Sequence, residues 1–440
     1  MVSATDAETD STRTPNPERR RTPWAWIPSL YFAEGIPYVV VMTVSVIMYK
    51  RLGVSNAEIA LYTSWLYLPW VIKPLWSPLV DVLRTKRWWI VAMQLLIGGG
   101  LAGVALTLPA ENYLRYSLAL LWLLAFSSAT HDIAADGFYM LGLSEKQQAF
   151  FVGVRSTFYR LAMIAGQGLL VMVAGYLETS TGDVPLAWSI TFFTLAGLFV
   201  LFFLYHGLVL PRPAADGSRT AENLQQVFAG FAEVFVSFFR KERIGVILAF
   251  LLLFRFAEAQ LVKMASPFLL DSQAIGGLGL GTSQVGFVYG TVGVLMLTLG
   301  GLLGGFLASR NGLKFWLWWM VLAINVPNAV YIFLSFVQPE AFWLVNVAVG
   351  VEQFGYGFGF TAYMLYMLYV AQGEHETAHF ALCTGFMALG MMIPGMFSGW
   401  LQELLGYQIF FVWVMLATVP SFIVAGLIPL RRDFGCRQDS

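Results

Sequence analysis

The residues with chemistry to offer are charged groups set in apolar sequence. Glu34 stands in Tyr31-Phe-Ala-Glu-Gly35-Ile-Pro37, Lys73 in Lys73-Pro-Leu-Trp-Ser-Pro78, and Asp132 and Asp136 in His131-Asp-Ile-Ala-Ala-Asp136. Arg160 follows Tyr159, Arg255 and Glu258 lie three apart, and Glu352 precedes Gln353 and Gly355. Ionisable groups are costly in hydrocarbon, so they face a protein interior or an aqueous path, and they pair with one another or mark a route. Asp132 and Asp136 fall one turn apart on one helix face. Such a set supports proton transfer and recognition of a charged solute. Asp132, Glu34 and Glu352 are predicted to couple protons; Glu352 has no basic partner on its own helix. Lys73, Arg160, Arg255 and Glu258 are predicted to meet the solute. So are Trp70, Tyr356 and Tyr363, whose rings and hydroxyls suit sugars and amides. Plainer alternatives stand beside these roles. Asp136 with Arg160, and Arg255 with Glu258, make static salt bridges; Asp132 does the same; Glu34 satisfies a kinked backbone at Pro37; Lys73 reaches to the interface.

Twelve apolar stretches must position these groups. They fall at 26–48, 57–80, 88–109, 114–142, 148–177 and 187–209, then at 244–270, 283–308, 313–337, 340–370, 378–400 and 407–429. Each is long enough to cross the hydrocarbon as a helix, and too long and too continuously apolar for a barrel strand. The predicted fold is an all-α polytopic membrane protein, its twelve transmembrane helices in two six-helix bundles. Residues 1–25 read as a disordered cytoplasmic tail, 26–209 as the first bundle, 210–243 as a cytoplasmic linker with an amphipathic helix from Ala221 to Phe239, 244–429 as the second bundle, and 430–440 as a second tail. Composition agrees. Of 440 residues, 58% are apolar and 12% charged, too few polar groups to clothe a soluble domain of this size. A disordered chain, a nucleic-acid binder and an ordinary cytosolic enzyme are excluded, and formal net charge is zero. Two cysteines and four scattered histidines supply no disulfide framework or metal pattern, so neither metal nor cofactor is predicted.

Basic residues collect on one side of this arrangement: Arg19, Arg20, Arg21, Arg84, Lys86, Arg87, Arg240, Lys241, Arg243, Arg310, Lys314 and Arg431 among them. The other side holds Lys50, Arg51 and Arg115. With an even number of spans, this places both termini in the cytoplasm. The halves echo each other. Ser77-Pro-Leu-Val-Asp81 with Arg84 follows span two, and Gly305-Phe-Leu-Ala-Ser309 with Arg310 follows span eight. Asp81, Arg84, Arg310 and Asp136 are predicted as structural or gating charges.

The segments resemble the major facilitator superfamily, whose loop after span two follows Gly-x-x-x-Asp-Arg-x-Gly-Arg-Arg; Ser77 and Asp81 fall at its Gly and Asp, Gly305 and Arg310 at its Gly and Arg. More narrowly, Tyr31 to Pro37, Lys73 to Asp81, Ser127-Ser-Ala-Thr-His-Asp132-Ile-Ala-Ala-Asp136 and Tyr159-Arg160-Leu-Ala-Met163 resemble the AmpG-like muropeptide permeases and related acetyl-coenzyme A transporters. That resemblance implies a monomeric inner-membrane carrier that imports an anhydromuramyl peptide with protons, by alternating access, for peptidoglycan recycling. The partners it implies are a small amphipathic or anionic solute, protons and lipid. No Walker motif is present, so ATP is not the energy source. Two alternatives remain: a carrier of another anionic solute such as an acyl-coenzyme A, and a polytopic membrane transferase, for which His375 and His379 are the nearest thing to a metal pair.

Overall fold

A computed structural model describes residues 22–213, 216, 224–431 and 434. Most of both predicted tails, and residues 221–223 of the predicted linker helix, lie outside these. The described chain is all-α. Its membrane-length segments are α1 (Pro23–Arg51), α2 (Asn56–Trp65 and Leu68–Leu83), α3 (Lys86–Thr107), α4 (Tyr113–Gly142), α5 (Glu145–Thr181), α6 (Val184–Val209), α7 (Ile244–Leu270), α8 (Thr282–Asn311), α9 (Leu313–Val337), α10 (Phe342–Ala371), α11 (376–405) and α12 (407–427). Nine helices among the described residues are long and apolar enough to span a membrane. The last of these, Glu376–Leu427, is α11 and α12 joined at Gly406. There the backbone turns through φ 71° and ψ 162°, a region open to glycine. Segments α2 and α10 complete the twelve.

Local sequence explains the ends and the breaks. Ser55 caps α2 by accepting from the Glu58 N–H, and Ser144 with Gln147 forms a capping box at α5. Pro37 lacks the N–H that would bond back into α1, and a π-helical stretch, Val40–Val44, follows it. Large apolar side chains stay exposed on several helices, including Leu106, Leu208, Trp319, Phe336 and Leu416. In water this would be a fault; against lipid it is the required outer surface.

The halves repeat one packing pattern. Helix α1 lies on α5 as α7 lies on α11; α3 lies on α4 as α9 lies on α10; α2 meets α4 as α8 meets α10. Between the halves, α2 meets α11 and α5 meets α8. The second contact is confined to residues 164–181 and 282–293. Both stretches carry π-helical turns, Ile164–Leu170 and Gly286–Gly293. A Cβ on Gly290 would overlap the backbone of Gly168, so two glycines set this approach. The segments nearer the chain ends, Glu145–Met163 and Val294–Asn311, share no comparable packing. Along α5 and α8 the halves are therefore closed on the face away from the chain ends and parted toward them, while α2 stays against α11 as far as Pro74 and Gly385. Leu224–Phe239 forms the linker helix, docked through Ser237 Oγ on His379 Nε2 at 2.9 Å.

Candidate transport site

Most of the charged residues singled out in the first half converge. Lys73 on α2 pairs with Asp132 on α4. One turn on, Asp136 pairs with Arg155 of α5 at 3.0 Å and accepts from the Tyr31 hydroxyl of α1 at 3.3 Å. The Arg155 guanidinium also lies over the rings of Tyr31 and Tyr139, at 4.6 and 5.1 Å. Glu34 is buried, and its Oε2 has no hydrogen-bond partner. Carboxylate oxygens of Glu34, Asp132 and Asp136 gather within 4.8 Å of one another. By distance alone these three could hold a cation. Two of them are already engaged by Lys73 and Arg155. Three acids face two cations, which leaves one acidic group without a counter-charge.

The expected Asp136–Arg160 bridge does not form. Arg155 takes that place, and Arg160 Nη1 is buried without a partner. Residues 155 and 160 are separated by about 140° around a helix, so one helix face cannot present both to α4. The side chain of Asp81 lies outside the described set. Arg84, in the turn between α2 and α3, stays exposed over Trp88 of α3 at 5.8 Å, and Arg310 stays exposed over Phe306 of its own helix at 5.6 Å.

In the second half, α7 breaks at Phe254 and Arg255. Arg255 donates to both oxygens of Glu258, at 3.0 and 2.8 Å, and to the Tyr356 hydroxyl at 2.6 Å. Tyr363, expected to line the solute path, is fully buried, and its hydroxyl donates to the Leu251 carbonyl beside the break at 2.6 Å. It supports the helix interruption. Glu352 is buried and accepts from Gln353 at 2.9 Å, with Tyr289 and Tyr331 in electrostatic reach. Trp70 stands edge-on to Tyr38, centroids 5.2 Å apart. Tyr38, absent from the sequence reading, lies within electrostatic reach of Asp132 in one half and Arg255 in the other. It marks where the two charged groups face each other.

Sequence reasoning also missed the closure of the opposite face. Lys50 pairs with Asp271 at 2.7 Å. Asn56 donates to Gln402 at 2.6 Å and to Tyr407 at 2.9 Å, and Tyr407 donates to Asp271 at 2.6 Å. Glu178 accepts from Arg51 at 3.0 Å, Trp188 at 2.8 Å and Thr282 at 2.7 Å. Lys50–Asp271, Asn56–Gln402, Asn56–Tyr407 and Glu178–Thr282 tie first-half helices to second-half helices at their far ends, and the other bonds brace these within each half. The sequence marks Lys50 and Arg51 only as basic residues on the less basic side; the fold gives them partners.

Comparison with known proteins bears on this geometry. Residues 29–382 match the Major Facilitator Superfamily. The chain belongs to that superfamily. It is a multi-pass transport protein with the architecture of a major facilitator-type secondary transporter. It is similar to the anhydromuropeptide permease of Escherichia coli K12, 26% identical over 407 residues that cover 90% of this chain and 77% of the permease. A putative transporter AmpG 4 of Rickettsia conorii is 24% identical over 403 residues, covering 90% of this chain and 94% of that protein. Among solved structures, the nucleoside transporter NupG superposes with a TM-score of 0.68 at 16% identity, covering 92% of this chain and 98% of that one.

Proposed function

We propose that this facilitator is a proton-coupled importer of an anhydromuramyl peptide in the inner membrane, with both termini cytoplasmic. The observation that carries coupling is the cluster of Glu34, Lys73, Asp132, Asp136 and Arg155, where three acids share two bases. A proton arriving balances that cluster, and a proton leaving reopens it. The cargo rests on the likeness to the E. coli permease, which extends over most of both chains. With the termini inside, the parted face opens to the cytoplasm and the bonded face to the periplasm. Alternating access then consists of exchanging the Lys50–Asp271 and Glu178–Thr282 contacts for closure at the other end.

Two measurements test this reading. Proteoliposomes holding the protein should accumulate a labelled N-acetylglucosaminyl-anhydromuramyl peptide under an imposed proton gradient and lose it when the gradient is collapsed. Robust movement of an acyl-coenzyme A with none of the muropeptide would retain the carrier and overturn the cargo. For topology, single cysteines at the exposed Ser180 and Ser309 should label from opposite sides: Ser180→Cys from the periplasm, Ser309→Cys only from the cytoplasm. The reverse pattern would invert the assignment of faces.

A further inference from the structure

Lys73, Arg155 and Arg255 are each held by a carboxylate, so an incoming anion finds them engaged. Lys263 differs. It lies on α7 midway between Arg255 and Asp271 and is only 3% exposed. Its ammonium donates to Thr63 Oγ1 of α2 at 2.9 Å and stands 5.2 Å from the centre of the Tyr67 ring. Among the described residues no acidic side chain pairs with it. An ammonium carries three donors, and a single hydrogen bond is formed here. Beside it, Ser64 Oγ is buried with no partner at all. Gly395 of α11 leaves the room both occupy: a Cβ there would stand 2.7 Å from Ser64 Oγ and 3.3 Å from Lys263 Cγ.

This seam of α2, α7 and α11 joins the two halves. A charge and a hydroxyl left short of partners in a dry seam cost free energy. The same groups are satisfied if water and solute reach them in the other conformation. Parting the halves at the bonded face would strip Thr63 from Lys263 and leave the ammonium facing the opened space with no internal carboxylate to compete. We propose that Lys263 is the residue that takes the carboxylate of the cargo when the carrier opens to the face away from its chain ends, Thr63 occupying that place when the seam shuts. The inference rests on the anionic-cargo reading above and adds to it the group that recognises the charge.

The test uses the full chain in proteoliposomes and two cargoes, the labelled anhydromuropeptide and its fully amidated, neutral counterpart. A hydrogen-bonded charge pair lost from binding corresponds to about a tenfold or greater rise in KM. Lys263→Gln is expected to show that rise for the anionic cargo and none for the neutral one, and Lys263→Arg to recover most of the loss. Equal losses for both cargoes, or no change in either, would overturn the proposal. A second readout does not depend on uptake. In a Cys383→Ser, Cys436→Ser background, Ser64→Cys, which keeps Lys263, should react with a membrane-impermeant sulfonated thiol reagent added at the face away from the termini, and anionic cargo should protect it, the protection being lost when Lys263→Gln is added. Absence of labelling from that face would also overturn the proposal. Should the wild type move no muropeptide, the cargo reading fails by itself. Protection is then scored with acyl-coenzyme A, where protection sustains the role of Lys263 and its absence ends it.

Discussion

In proteoliposomes carrying Asp132→Asn, uphill uptake driven by a proton gradient is expected to vanish while exchange between preloaded solute pools persists. The cluster explains the split. With Asp132 ionisable, Glu34, Asp132 and Asp136 confront Lys73 and Arg155, and one acid lacks a counter-charge. With asparagine there, two acids face two bases, and the cluster is balanced without a proton. The carrier can still reorient around its solute, but the reorientation is no longer tied to proton movement. Removing one partner of a buried ion pair costs about 3–5 kcal/mol. Here the Lys73 and Asp132 side chains keep 25% and 22% of their surface exposed, so solvent screening reduces that figure. A Lys73→Met, Asp132→Asn double variant isolates the stability cost: it removes the stranded ammonium and should recover thermal stability. Full accumulation by Asp132→Asn at an imposed gradient would remove Asp132 from the coupling path.

The twelve helices were legible in the sequence because hydrocarbon imposes a length and a composition on every span, and the basic loops fixed their count. Glu34, Lys73, Asp132 and Arg255 were legible for the same reason, since a charge in an apolar run is conspicuous. Pairing was not. Whether Arg155 or Arg160 meets Asp136 depends on how α5 is rotated against α4, which the residue order along either helix does not state. Lys50 and Asp271 are 221 positions apart, each at the end of an apolar run, where a charge is ordinary. Only the fold gives them a common address. Tyr38 was hidden by its chemistry: one tyrosine among 18 carries no mark of lying between two charged groups. The lack of a carboxylate partner at Lys263 is a property of three helices together.

Conformational cycling depends on the close backbone contacts between the halves, and at the one between α5 and α8 a large loss of transport is expected from a change in volume with no change in charge. A Cβ at Gly290 would overlap the Gly168 Cα and N and the Gln167 carbonyl carbon. Backbone cannot rotate aside as a side chain can, so Gly290→Val should keep α5 and α8 from closing. Each half packs its own core elsewhere, so folded yield should hold while transport falls below detection. The arrested protein should be open at the bonded face: a cysteine at Thr282, buried in the wild-type seam, should react with a thiol reagent in the Gly290→Val background and resist it without that change. Gly168→Ala supplies a graded step. Its Cβ would lie 3.1 Å from the Gly290 carbonyl, which asks the neighbour to yield by a few tenths of an ångström. Transport should slow, yet continue. Gly305→Ala, on the same helix with nothing within 4 Å of the added carbon, should leave the rate within about twofold of wild type. Wild-type turnover by Gly290→Val would show that the halves need not meet at this point for the carrier to complete its cycle.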